Sequence, residues 1–384
     1  MITGSFYPEI TGGGFQCLTL MNSLKGYGYK FFVITTTKDE FLKYSHPDFD
    51  IKRIYVGDVG FLAEIKSAWQ LVSAFLRIQR NISVVHFHGF SKKTILVITL
   101  AKIFRKKIVQ KMTSLGEDDP IALIKKPFGF IKFFFFSMAD VFVSVSPFMS
   151  KKFIESKLSA CKLITTPNGV DIDRFSPVRS YEEKNNLRKK LGLPESTFII
   201  MFVGFFSEDK GPDILIEAYK IVKKNIKADM RVLFVGSTKG MYYEIKAILV
   251  KKIMNEIKDN YLQKDIIFVE KTLEIEDYYR CSDLFVLPSK REGLSNALLE
   301  AMASGLPCVS SNLDGVVDYL ISDKKEGMLF NSGDIYGLSS AICKVFEDRK
   351  LAKDLGCNAR EKVIKNFSIK IIAEQYKKLY NNLL

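Results

Sequence analysis

Short runs of β-branched and aromatic residues alternate along the chain with longer stretches of helical periodicity. The runs KFFVITTT, SVVHFHG, DVFVSVS and KLITTPNG fall in the first half, and FIIMFVG, RVLFVGS, DIIFVE, DLFVLPS and PCVSS in the second. Many are apolar at successive positions, as strands covered on both faces must be. Between them, PDILIEAYKIVKKN and NALLEAMASG repeat their apolar residues every three to four positions, which predicts helices. Strand–helix alternation of this kind predicts parallel, doubly wound sheets. The pattern restarts near residue 197, after a stretch rich in Pro, Asn and charge, PNGVDIDRFSPVRSYEEKNNLRKKLGLPEST, which reads as a linker. Two α/β domains follow, 1–177 and 178–366, with an amphipathic helix over 367–384 that can pack back on the first. A glycine-rich loop begins at Gly4, so the first strand is either very short or starts upstream of Met1.

A length of 384 residues, 47% hydrophobic and 26% charged, fits two globular cores and excludes a disordered chain. Six scattered cysteines form no CxxC pair. They predict reduced thiols in the cytosol rather than a disulfide framework or zinc site. No run of uncharged apolar residues is long enough to span a bilayer. The net charge of +14 is uneven: residues 1–177 carry 24 Lys/Arg against 14 Asp/Glu. Aromatics lie among these cations, as in KKPFGFIKFFFF. That pairing is either a solvated basic surface or a patch for anionic lipid or an anionic acceptor. Nucleic-acid binding is not expected, because no recognition motif accompanies the charge.

The stretch PSKREGLSNALLEAMASGLP carries the most chemistry. Ser295 or Asn296 can cap a helix that Gly305 and Pro307 end. Its first N–H groups suit a phosphate. Glu292 lies just ahead of the helix and Glu300 about one turn inside an otherwise apolar face. Ionised carboxylates there are acceptors suited to sugar or ribose hydroxyls. A helix-dipole glutamate plus a satisfied core glutamate is the plainer alternative.

This segment resembles the E-x7-E signature of the retaining GT-B glycosyltransferases of the family 4, or group 1, type. Five further stretches are similar to that family's segments: GSFYPEITGGG, TPNGVDIDRFSP, FVGFFSEDKGPDILIEAY, and the paired strands ADVFVSVSP and CSDLFVLPS. The resemblance implies a GT-B fold, two Rossmann-like domains facing a cleft. It implies transfer of a sugar from a nucleotide-diphosphate donor to a saccharide or lipid-linked acceptor, with retained configuration, in cell-surface glycan biosynthesis. On this resemblance Glu292 holds donor-sugar hydroxyls and Glu300 the ribose. Lys210 neutralises the diphosphate, and the backbone of Ser295, Asn296, Ala297 and Leu298 meets the phosphates. Lys271 and Leu273 lie near the base, while Gly12 and Gly13 let the first domain approach the sugar-phosphate. No metal or cofactor is implied.

Two positions depart from the family pattern. Phe205 stands where an arginine is usual, so Lys290 or Arg291 is expected to replace that cation. Leu115 stands where a cleft histidine is common, and His88, on one strand face with His86, is expected to serve instead. GEDDP (116–120) is read as a polar loop near the acceptor rather than a metal site. The protein is expected in the cytoplasm, peripheral at the inner membrane face. A weakly catalytic nucleotide-sugar-binding partner and a nucleotide-sugar 2-epimerase remain open as alternatives.

Overall fold

The computed structural model describes residues 1–384 other than 10, 43, 58–59, 117, 239–244 and 271. The chain divides into two compact units: Met1–Gly169 with Ile369–Leu384, and Val170–Ser368. The division thus falls at 169/170 rather than after 177, and the supposed linker belongs to the second unit. Residues 170–177 join the second unit through Arg174, which donates to the Leu273 carbonyl and Glu276, and through Arg280 and Arg360, which donate to Ser176 and to the Phe175 carbonyl. The rest of the stretch is anchored by its helix Tyr181–Lys190, whose Arg188 is only 3% exposed. The Arg188 guanidinium donates to the carbonyls of Cys281, Glu195 and Thr197 and pairs with Asp283 at 2.8 Å. A run that looks polar and mobile is therefore anchored by a single buried cation whose donors are all used.

The first unit holds a seven-stranded parallel sheet of β1 (Ile2–Thr3), β2 (Phe32–Thr37), β3 (Asp50–Tyr55), β4 (Val84–His88), β5 (Lys107–Met112), β6 (Val141–Ser144) and β7 (Leu163–Thr165). Their order is β3-β2-β1-β4-β5-β6-β7. β1 is only two residues long, yet it pairs with β2 and β4 on either side. The C-terminal helix Ile369–Asn381 packs against the helix Gly12–Lys25, burying Ile372, Tyr376 and Leu379 with Leu20 and Leu24. The opposite face of the sheet is covered by Phe75, Val97, Ile98, Phe136 and Phe153 from the crossover helices.

The second unit holds six parallel strands: β8 (Phe198–Val203), β9 (Met230–Val235), β10 (Ile266–Val269), β11 (Leu284–Leu287), β12 (Cys308–Asn312) and β13 (Met328–Asn331). The order β10-β9-β8-β11-β12-β13 means the chain winds outward from β8 one way, then restarts at β11 and winds the other way. Where winding reverses, the loops leaving the carboxyl ends of β8 and β11 turn to opposite faces and leave room between them, which is where open α/β sheets take ligands. Two Rossmann-like α/β units of this kind are the fold expected from the sequence.

Candidate functional site

Two loops meet at that reversal point. The first runs from β8 to the helix Pro212–Asn225 and carries Asp209 and Lys210. The second runs from β11 to the helix Asn296–Ala303 and carries Lys290, Arg291 and Glu292. They are held together three times: Lys210 Nζ lies 2.7 Å from Glu292 Oε1, Arg291 lies 2.6 Å from Asp209, and the Lys290 amide donates to the Asp209 carbonyl at 2.7 Å. Gly211 makes this approach possible. Its φ of +65° suits glycine, and a Cβ there would fall 2.3 Å from the Pro288 carbonyl oxygen.

Glu292 is 7% exposed. Its Oε1 also accepts a hydrogen bond from Ser289 Oγ at 2.7 Å. A carboxylate this buried persists because it is paired and hydrogen-bonded. The helix behind it begins at Ser295, whose Oγ accepts from the Leu298 amide, and ends in a Schellman turn, Gly305 N to Met302 O and Leu306 N to Ala301 O.

Glu300 lies five residues after the cap, half-buried, with Tyr279 Oη 3.0 Å from its Oε2. Burial pushes its carboxyl up to about 7. The Tyr279 hydrogen bond and the Arg174 charge oppose that rise, and the Glu276 charge adds to it. Arg174 donates to the Leu273 carbonyl and to Glu276, each at 2.7 Å. So one group joins Lys210, Glu292 and Ser289, and a second joins Glu300, Tyr279, Arg174 and Glu276, at either end of the first turns of one helix.

The other expected residues are placed as follows. Arg291 is taken up by Asp209, whereas the Lys290 side chain is exposed. Leu298 is fully buried and contributes only backbone, and the Ala297 carbonyl accepts from Tyr279. Lys271 lies outside the described residues. Gly12 and Gly13 open the first helix of the other unit, and a Cβ on Gly13 would meet nothing. Packing does require a glycine at Gly14, where a Cβ would fall 2.9 Å from the Ser5 carbonyl oxygen. His88, also in the first unit, is buried and stacks on His86 with ring centroids 4.5 Å apart. Burial, His86 and the Lys111 charge hold it neutral, well below the usual histidine range.

In GEDDP, Asp118 accepts from the amides of Phe90, Thr113 and Ser114, and Asp119 caps the helix Pro120–Lys125. Both are occupied by backbone, and Glu117 lies outside the described residues. Four residues of the site were not foreseen: Ser289, Tyr279, Arg174 and Glu276. Arg174 sits inside the segment TPNGVDIDRFSP, whose resemblance to the family was the available signal.

Two family models match in tandem, Glycosyltransferase Family 4 over residues 10–174 and Glycosyl transferases group 1 over residues 183–362. The chain belongs to the group 1 glycosyltransferases. It is 31% identical to an Escherichia coli UDP-Gal:alpha-D-GlcNAc-diphosphoundecaprenol alpha-1,3-galactosyltransferase, over 58% of this chain and 55% of that protein, or about half its length. It is 23% identical to the capsular polysaccharide biosynthesis glycosyltransferase CapM of Staphylococcus aureus, over 85% and 83%. It is 24% identical to the Bacillus anthracis N-acetyl-alpha-D-glucosaminyl L-malate synthase, over 98% and 96%. Among solved structures, Anabaena HepE in complex with UDP and glucose superposes with a TM-score of 0.81 at 17% identity, covering 99% of this chain and 98% of that one. Sucrose-phosphate synthase from Thermosynechococcus elongatus gives 0.80 at 21% identity, over 100% and 98%. These two establish the shared GT-B fold.

Proposed function

We propose that the protein transfers a sugar from a nucleotide-diphosphate donor, with retained anomeric configuration, and that its second unit holds the donor. The observation that carries this reading is the Lys210–Glu292 pair, 2.7 Å apart at the strand-order reversal and just ahead of a helix N-terminus. Glu292 offers acceptors to sugar hydroxyls, Glu300 to the ribose, and Lys210 with the N-terminus of the helix Asn296–Ala303 faces the diphosphate. When the sugar–phosphate bond breaks, negative charge collects on the leaving diphosphate. A fixed cation and oriented N–H groups stabilise that charge most. The acceptor hydroxyl adds from the face the diphosphate leaves, and a diphosphate oxygen takes its proton. Lys210 and the helix amides supply the positive potential, so the reading needs no metal and turnover in EDTA is expected to be undiminished.

The acceptor is proposed to be a saccharide or lipid-linked saccharide of cell-surface glycan synthesis, which the names of the E. coli and S. aureus relatives support. The helix Gly129–Ser137 supports a membrane-facing first unit. Phe128, Phe130 and Phe134 are 74%, 72% and 61% exposed there, flanked by Lys125 and Lys132. No helix among the described residues is long and apolar enough to cross a membrane. Apolar insertion with basic flanks fits an anionic surface instead.

A thermal-shift panel of UDP-, GDP- and ADP-sugars tests the donor reading, with NMR of the product anomer testing retention. Stabilisation by at least one donor that is lost in Lys210→Ala is expected. No response to any donor would remove the proposal.

A further inference from the structure

The first unit contains a groove of about 320 Å3 between the helix Phe61–Ile78 and the edge strands β2 and β3. It lies at Phe32 and Asp50, the amino-terminal starts of those strands, so it is at the opposite end of the sheet from His88. Trp69, the only tryptophan in the chain, stands on its rim 70% exposed. Asp50, Lys52, Gln70 and Arg77 line it. None of these four side chains has a hydrogen bond or ion pair among the described residues.

Asp50, Lys52 and Arg77 are solvent-exposed, and none lies within ion-pair distance of another. An acid and two bases are thus left open to a ligand around an aromatic plate. The groove's volume falls at the lower end of the range that small-ligand pockets occupy. The indole gives an apolar face with a polar edge. Arg77 gives a planar fork matched to a carboxylate or phosphate, and Lys52 a second cation. Asp50 and the Gln70 amide are left to take hydroxyls. A pyranose ring with an apolar C–H face, several hydroxyls and one anionic substituent satisfies all of them. A nucleotide presents a base, a phosphate and ribose hydroxyls to the same groups, so UMP is the competing probe.

We propose that this groove binds an acidic saccharide, a sugar ring stacked on Trp69 with its carboxylate or phosphate on Arg77 and Lys52. The site is separate from the donor site and does not rest on the donor reading.

The single tryptophan supplies the assay. Its emission is followed in the full chain during titration with tri-galacturonate, a hyaluronan tetrasaccharide, glucose 6-phosphate, maltotriose and UMP. The expected result is a saturable change with at least one acidic saccharide, at least tenfold tighter than maltotriose or UMP. The constant weakens at least tenfold in Arg77→Ala and in Lys52→Ala. The carboxylate and phosphate probes separate the two sources of the anion. Calorimetry of Trp69→Ala, with circular dichroism as a check on folding, should show binding lost. Absence of a saturable change with every acidic probe would overturn the proposal, as would unchanged affinity in Arg77→Ala or preference for UMP. Failure of donor binding alone would leave it standing.

Discussion

Replacing Glu300 by glutamine is predicted to stabilise the free protein and weaken nucleotide binding, two effects of opposite sign from one cause. Its carboxyl is raised from 4.5 to about 7 by burial. The folded protein therefore holds a proton there more tightly than the unfolded chain. The resulting cost is absent below about pH 4, grows as pH rises from 4.5 to 7, and is complete above 7. At about 1.4 kcal/mol per pKa unit the full cost is on the order of 3 kcal/mol. Glu300→Gln removes most of it, so urea unfolding at pH 8 should show a gain of about 2 kcal/mol, with little gain at pH 5. Ribose hydroxyls, by contrast, donate to the ionised carboxylate, so binding must displace the proton below pH 7. UDP affinity measured calorimetrically should fall roughly tenfold per pH unit below that point and be flat above it. Glu300→Gln should bind more weakly and lose the pH dependence. A destabilised variant at pH 8, or a wild-type affinity that is level from pH 6 to 8, would refute the reasoning.

The other predictions concern the loop junction. Lys210→Ala should lower turnover by about 10²–10³-fold, because a positive charge aimed at the leaving group is lost, as initial rates with donor and acceptor would register. Gly211→Ala should cost about 2 kcal/mol or more, read from urea midpoints, since it forces a left-handed φ on alanine and drives its Cβ into the Pro288 carbonyl. A double-mutant cycle on the exposed Asp209–Arg291 pair should give at most about 1 kcal/mol of coupling.

The strands that the sequence pattern brings out are mostly those buried on both faces. β3 and β13 are not among the apolar runs, and both are edge strands, DIKRIY and MLFN, with a neighbour on one side only. An edge strand buries less and tolerates polar residues, so its periodicity is weaker. The structural division falls eight residues before the one read from the sequence because residues 170–177 bond into the second unit, Arg174 to the Leu273 carbonyl and Glu276 and Ser176 to Arg280, contacts that only the fold brings about. At the site, Lys210, Glu292 and Glu300 stand out locally, as a charge beside a glycine or inside an apolar run. Tyr279, Arg174 and Ser289 look ordinary in sequence. Only the fold brings Tyr279 Oη to Glu300 and Ser289 Oγ to Glu292. The triple glycine was legible as a close approach, but which of the three is sterically required depends on where the Ser5 carbonyl lies.

The central claim is that Lys210, Glu292 and Glu300 grip one nucleotide-sugar. The most direct measurement is a crystal structure of the protein soaked with a UDP-, GDP- or ADP-sugar chosen by the thermal-shift panel. The account predicts sugar hydroxyls within hydrogen-bond distance of Glu292, the diphosphate against Lys210 and the N-terminus of the helix Asn296–Ala303, and the ribose on Glu300. A donor bound away from all three side chains, or with its diphosphate on Glu300, would contradict it.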